Sequence, residues 1–195
     1  MELTKRQMDI VSAAITIIAQ QGFEKLTTKN LAAHLGHTEA ALYRHFSSKR
    51  DLLEMILCYF EQKSCQVIQD IKAENLKPID CIRRFVQNRY RMFEEQPDLA
   101  MVMFSEELFK NDPSFREQLL SIMHIHRDEV VGYIQAGQKS AEIGSDLNPF
   151  HLFRIIVGSM RLIVSQWNLS NRTFPLYEEG CKTLETIIKL IEVNQ

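Results

Sequence analysis

Glycine and proline are scarce in this 195-residue chain, which holds seven and five copies of them. Because these residues break regular structure, a chain so poor in them favours long helices, and its many Leu, Ile, Glu, Gln and Lys residues support this. No segment of useful length shows the two-residue alternation of apolar and polar side chains that a half-buried strand needs. The sequence therefore predicts an all-α fold of about nine helices.

Cysteine is also rare, and the four copies show no CxxC spacing: Cys58, Cys65, Cys81 and Cys181. This spacing argues against a disulfide framework or a zinc cluster and predicts free thiols in a reducing cytoplasm. His124 and His126 are the nearest approach to a metal motif. On a helix, residues two apart point roughly 200° away from each other, so we expect no metal site and no cofactor.

Long apolar runs are missing as well. No run approaches the ~18 residues of a membrane span, and the N-terminal MELTKRQMDI lacks the apolar stretch of a signal peptide. Neither a membrane partner nor export is therefore predicted. A glycine-rich phosphate loop, a nucleophile elbow and a carboxylate–histidine cluster are equally absent from the sequence, so we predict no enzyme.

Charge is distributed unevenly along the chain. Residues 1–50 hold seven Lys or Arg against four acidic residues, whereas the remainder holds 16 against 21. A basic head on an acidic body is the asymmetry expected when one end of a protein meets a polyanion. Chance alone also produces an imbalance of this size.

The start of the chain carries the signals of a helix-turn-helix. Residues 5–21 form an amphipathic pattern that Gly22 ends, and a short helix over about 29–35 ends at Gly36. Thr38 caps a third helix predicted to run to about His45, and the Ser48–Asp51 capping box opens a long fourth helix. Further helices are predicted over about 79–95, 98–110, 113–139, 149–167 and 176–192.

The short motifs in this region resemble the DNA-binding domain of the tetracycline-repressor (TetR) family. The Leu-Tyr-x-His-Phe-x-x-Lys run over 42–49 is highly specific to that family, although His37-Thr38 replaces its usual Val-Ser. The other matching features are Ile10–Ala13-Ala14, Gly22-Phe23, Leu26-Thr27-Thr28, Leu31-Ala32, Leu35-Gly36, Ala41-Leu42-Tyr43-Arg44-His45-Phe46, Ser48-Lys49 and Leu52-Leu53.

The resemblance implies a sequence-specific transcriptional regulator, a helix-turn-helix domain over 1–48 and a helical dimerisation and ligand-sensing domain over 49–195. It implies phosphate contacts from Thr28, Tyr43, His45 and Lys49, and contacts near base edges from Thr38, Glu39, Ala40 and Arg44. Arg44 suits either guanine or a phosphate, and Glu39 suits cytosine N4 or simply the helix dipole.

Two roles are expected of the C-terminal half. Apolar stripes on the last two helices (Phe153 to Trp167 and Tyr177 to Ile191) fit either a four-helix dimer seam or the protomer's own core. Arg89, a charge within an apolar stripe, fits either an anionic effector or a pair with Glu94 or Glu106. The ligand-lining candidates are Phe85, Arg89, Tyr90, Phe93, Met103, Met123, His126 and Trp167.

The sequence thus favours a homodimeric repressor that a small-molecule effector releases from a palindromic double-stranded DNA operator. The alternative is a nucleoid-associated DNA-binding factor that acts through a protein partner, since residues 39–46 and Met92–Phe109 also resemble the nucleoid-occlusion branch of the same superfamily.

Overall fold

The computed structural model describes residues 3–193, apart from the side chain of Glu106. Within that range the chain is helical, and the only extended pairing is an isolated antiparallel bridge between Ile143 and Glu192. The α-helices are α1 (Lys5–Gln21), α2 (Thr28–Leu35), α3 (Glu39–Leu42), α4 (Lys49–Ala73), α5 (Pro78–Glu95), α6 (Pro97–Met103), α7 (Pro113–Lys139), α8 (Pro149–Leu169) and α9 (Leu176–Ile191).

The helix boundaries follow from local chemistry. Thr27 caps α2 by accepting from the N–H of Asn30, and Gly36 ends that helix in the left-handed region at φ 68°. Pro149 opens α8, where the Asn148 side chain accepts from the N–H groups of Phe150 and His151. Each of these ends satisfies backbone groups that a helix leaves unbonded.

Two predicted helices are shorter in the structure. α3 ends at Leu42 rather than near His45, because the His45 N–H bonds three residues back to the Leu42 carbonyl (2.8 Å). That tighter turn carries Phe46 into the core. The helix predicted over 98–110 ends at Met103, and a 3₁₀ turn at Glu106–Leu108 follows it.

Contacts divide the chain into two compact units. The first holds the described residues up to Ser64 together with Asp98–Leu120, and the second holds Cys65–Pro97 together with the described residues from Ser121 onward. α4 and α7 each contribute to both units. The functional boundary at residue 48 stays a prediction, because contacts alone do not define a functional module.

The first unit contains α1 to α3. Apolar residues at helical spacing on α1, including Ile10 and Ala14, are fully buried, as are Leu31 of α2 and Leu42 of α3. This core fixes the short helices whose opposite faces carry the predicted DNA contacts. Among the described residues, no helix is long and apolar enough to cross a membrane.

The second unit is built on the packing of α5 against α9. The two helices run antiparallel: Glu94 of α5 accepts from the backbone N–H of Tyr177 near the start of α9, and Arg83 pairs with Glu185 further along (3.0 Å). α8 packs against both helices.

Candidate functional site

The predicted DNA contacts lie on exposed parts of the first unit. Thr38, Glu39, Ala40 and Arg44 are exposed, and 56% of Tyr43 is accessible to solvent. Thr38 also caps α3 by accepting from the Ala41 N–H at 3.3 Å. An exposed row of small and polar side chains at the start of a short helix is the form in which a helix-turn-helix approaches base edges.

Two predicted phosphate contacts are brought together across the motif. The Thr28 hydroxyl, at the first residue of α2, donates to the Tyr43 hydroxyl just beyond α3 at 3.4 Å. The Tyr43 ring also lies 6.4 Å from that of Phe46, which is buried. Tyr43 is therefore held at the surface by a buried neighbour, with its hydroxyl beside that of Thr28.

Lys49 is the first residue of α4. Its Nζ lies 3.7 Å from the centre of the Phe23 ring, a cation–π contact. Asp51 stabilises the same helix start: its carboxylate accepts from the Ser47 N–H and the Ser48 hydroxyl. These hydrogen bonds lower the pKa of Asp51, and its N–H donates to Ser48 in turn, so the predicted cap is present.

His45 occupies a different setting from the other predicted contacts. It is half-buried and lines a cleft of about 600 Å³ whose walls include the acidic residues Asp51, Glu54 and Glu61. The structure thus places His45 on the wall of a cleft that also has acidic residues, whereas Tyr43 contacts Thr28 and Phe46, and Lys49 contacts Phe23.

Arg50 is basic and follows Lys49 directly, so its residue type suits a phosphate contact. Its side chain, however, is engaged within the protein. Its guanidinium forms ion pairs with Asp112 and with Glu54 (3.3 Å to the latter) and lies 5.1 Å from the centre of the Phe115 ring. Arg50 therefore joins the start of α4 to the start of α7 within the first unit. Sequence spacing gives no signal of this role, since Asp112 is 62 residues away.

Three of the predicted ligand-lining residues meet in the second unit, and we call them the Arg89 cluster: Phe85, Arg89 and His126. Arg89 is only 1% exposed, and its guanidinium lies 5.3 Å from the centre of the Phe85 ring. The Phe85 ring meets His126 edge to face at 5.5 Å. The guanidinium of Arg89 and the ring of Phe85, both buried on α5, thus lie close to the half-buried imidazole of His126 on α7.

Burial sets the charge of this cluster. It lowers the pKa of Arg89 to about 10, against an opposing influence from Cys65, so the guanidinium stays charged at neutral pH. Burial, and secondarily the charge of Arg89, lowers the pKa of His126 to about 3. The cluster therefore presents a buried cation beside a neutral imidazole, a combination suited to an anion or a polarised carbonyl oxygen.

Each of the other ligand candidates has surroundings of its own. Tyr90 is buried against Gly180 of α9, and Trp167 is buried with the Arg172 guanidinium 5.6 Å from its ring centre. Met123 is 43% exposed, and Met103 belongs to the first unit. Phe93 is buried on α5. Of the two acids predicted as partners of Arg89, Glu94 accepts from the Tyr177 N–H, and the side chain of Glu106 lies outside the described residues.

The two halves of the chain match family models. Residues 10–56 match the model described as bacterial regulatory proteins of the tetR family, and residues 60–190 match the YsiA-like protein C-terminal region. The chain belongs to the tetR family of bacterial regulatory proteins. It is therefore a DNA-binding transcriptional regulator with an N-terminal helix-turn-helix, which confirms the predicted fold class and function.

The chain is similar to proteins whose names give them different roles. The chain is 22% identical to a fatty acid metabolism regulator protein of Bacillus subtilis over 94% of both chains. It is 28% identical to the nucleoid occlusion factor SlmA of Marinobacter nauticus over 74% of this chain and 72% of that protein. The fold is shared with FadR of Bacillus subtilis, solved in complex with stearoyl-CoA (TM-score 0.79, 20% identity, 94% and 98% of the two chains).

Proposed function

We propose that this protein is a homodimeric repressor that binds a palindromic operator and is released from it by a long-chain acyl-CoA. The choice of effector class depends on one observation: Arg89 is buried and charged, and it lies in the region that matches the YsiA-like C-terminal model. The regulator of fatty acid metabolism and the stearoyl-CoA complex among its relatives support the same ligand class.

The chemistry of the Arg89 cluster fits this effector. An acyl-CoA carries a thioester carbonyl between an apolar chain and a polar head. A buried guanidinium can donate to that carbonyl oxygen, and the neutral His126 adds no second positive charge. Phe85 gives the same region an apolar wall. A free fatty acid presents a carboxylate instead, so the two ligand forms can be compared directly.

Dimer formation is proposed to use α8. One apolar stripe on this helix, including Met160, Val164 and Trp167, is buried within the protomer. A second stripe is exposed at seven-residue intervals: Ile155 (53%), Leu162 (59%) and Leu169 (82%). Gly158 lies among them, and a Cβ there would meet nothing within 4 Å. Such a face suits the α8 helix of a second copy.

A two-fold dimer implies a palindromic operator, because each helix-turn-helix then reads an identical half-site. On each half-site we propose that Thr28, Tyr43, His45 and Lys49 contact phosphates, and that Thr38, Glu39, Ala40 and Arg44 lie near base edges. Phosphate contacts set register and affinity, and base contacts set sequence preference.

The test has two stages. Purified protein is first used to enrich genomic fragments at fixed, near-physiological salt, which identifies the operator. Its affinity for that operator is then measured with stearoyl-CoA, stearate and free CoA. We expect stearoyl-CoA to weaken binding in the wild type and to act much less on the Arg89→Met variant. Arg91→Met, at an exposed position on the same helix, serves as the matched control.

Release by none of the three compounds contradicts the acyl-CoA proposal, as does equal release of wild type and Arg89→Met. The same fragment enrichment tests a nucleoid-associated role, which the similarity to SlmA favours. A few palindromic sites beside genes support a local repressor, whereas many sites dispersed over the chromosome support the nucleoid role.

A further inference from the structure

The closest cation–π contact that the structure shows in the first unit joins Lys49 to Phe23. The Lys49 ammonium lies 3.7 Å from the Phe23 ring centre, well inside the roughly 6 Å within which such contacts attract. Both residues are half-buried. Phe23 belongs to the connection between α1 and α2, and Lys49 is the first residue of α4.

Gly22 determines how the chain presents Phe23. Its φ of 90° with ψ of 160° is a conformation that residues with a Cβ rarely adopt. A short 3₁₀ turn follows, in which the Lys25 N–H donates to the Gly22 carbonyl and the Leu26 N–H to the Phe23 carbonyl. The Gly-Phe pair therefore ends α1 and aims an aromatic ring at the start of α4.

The ring holds the ammonium without neutralising it. An aromatic face attracts a cation through its quadrupole and carries no net charge, so Lys49 keeps its full charge for a phosphate. The neighbouring Arg50 shows the contrast, because its guanidinium is engaged by the carboxylates of Asp112 and Glu54. Lys49 is a long, flexible side chain, and restraining it before DNA binds reduces the conformational entropy lost in the complex.

We propose that Phe23 is a positioning residue for DNA binding, which holds the Lys49 ammonium ready to meet a backbone phosphate. This inference rests on the proposed phosphate contact of Lys49. It assigns an indirect role in DNA affinity to a residue whose side chain would otherwise count only as packing between α1, α2 and α4.

A double-mutant cycle tests the proposal. Phe23→Leu, Lys49→Met and the double variant are compared with wild type for binding to a short duplex of arbitrary sequence over a salt series. A plot of log affinity against log salt has a negative slope. Lys49→Met should make this slope shallower by about 0.9 for each phosphate that the lysine neutralises in the wild type. Phe23→Leu should weaken binding about two- to fivefold for each helix-turn-helix that contacts the duplex, and it should have no further effect once Lys49 is Met.

Two control variants separate positioning from folding. Phe23→Tyr keeps the aromatic face and should keep wild-type affinity. Tyr59→Leu removes the ring beneath Lys63 on α4 (5.6 Å) and should leave DNA affinity unchanged. Thermal unfolding of every variant checks that the protein is folded at the temperature of the binding assay.

Three results would overturn the proposal. If Phe23→Leu lowers DNA affinity equally in the wild type and in the Lys49→Met variant, Phe23 has a purely structural role. Wild-type affinity in Phe23→Leu would show that the ring contributes nothing. An unchanged salt slope in Lys49→Met would refute the phosphate contact of Lys49, and with it the positioning role, while leaving DNA binding by the wild type intact.

Discussion

The ring of Tyr90 lies so close to Gly180 that a Cβ at position 180 would stand 2.5 Å from two of its ring carbons. Tyr90 is on α5 and Gly180 on α9, and both are buried. The absence of a side chain at position 180 thus permits the approach of the two helices that form the core of the second unit.

Gly180→Ala should therefore destabilise the protein. The added methyl forces the Tyr90 ring or α9 to move, which costs about 1–3 kcal/mol in a packed core and outweighs the better helix propensity of alanine. The matched control is Gly132→Ala on α7, where a Cβ would meet nothing within 4 Å. This control should raise stability by about 0.5–1 kcal/mol. Denaturant unfolding measures both, and equal stabilisation by the two changes would contradict the packing argument.

A charge on the exposed stripe of α8 should separate the dimer. Leu162 is 59% exposed at the middle of that stripe. Leu162→Arg would place an unpaired guanidinium in the proposed apolar seam, so we expect light scattering after size exclusion to show a monomer. Leu120→Arg, at an exposed position on α7, should remain dimeric. A dimeric Leu162→Arg protein would place the seam elsewhere.

Acid should destabilise the protein through His126. Its pKa is about 3 in the folded chain and 6.5 ordinarily, so between these values the unfolded chain binds the extra proton. The free energy of unfolding should fall as pH drops below about 6.5, approaching 1.4 kcal/mol per pH unit from this group. His126→Gln should flatten this dependence, whereas His124→Gln, at an exposed position two residues earlier, should not. Identical pH profiles for all three proteins would exclude His126 as the cause.

The ion pair between Arg50 and Asp112 should stabilise the first unit. Asp112 is 26% exposed and Arg50 49%, so a double-mutant cycle with Arg50→Gln and Asp112→Asn should give a coupling of about 0.5–1 kcal/mol. The more exposed pair of Lys110 and Glu107 should give almost none. Because Arg50 is engaged in this way, Arg50→Gln should change the salt dependence of DNA binding less than Lys49→Met. A larger change in salt dependence from Arg50→Gln than from Lys49→Met would identify Arg50 as a phosphate contact.

Much of the fold was predictable because its signals are local. Caps and glycines act within a few residues, so Gly36 and Thr38 set helix ends that the sequence alone predicts. α3 ends earlier than predicted because the His45 N–H bonds to the Leu42 carbonyl in a tighter turn, beyond which Phe46 is buried. The motif over 42–49 is a local signal of the same kind. It holds the buried Leu42 and Phe46 and the exposed Tyr43 within one short segment, so its residue types can be recognised without the fold.

Tertiary structure decided what each side chain meets. The α8 periodicity alone fits two faces of the helix, and only packing shows that Met160, Val164 and Trp167 face the protomer's core. Phe85, Arg89 and His126 come from two different helices, and the fold brings them together in the Arg89 cluster. Lys49 and Arg50 are adjacent and both basic, but one lies over Phe23 and the other pairs with Asp112. Such contacts join distant parts of the chain, so sequence spacing determined which residues are available and the fold determined which of them meet.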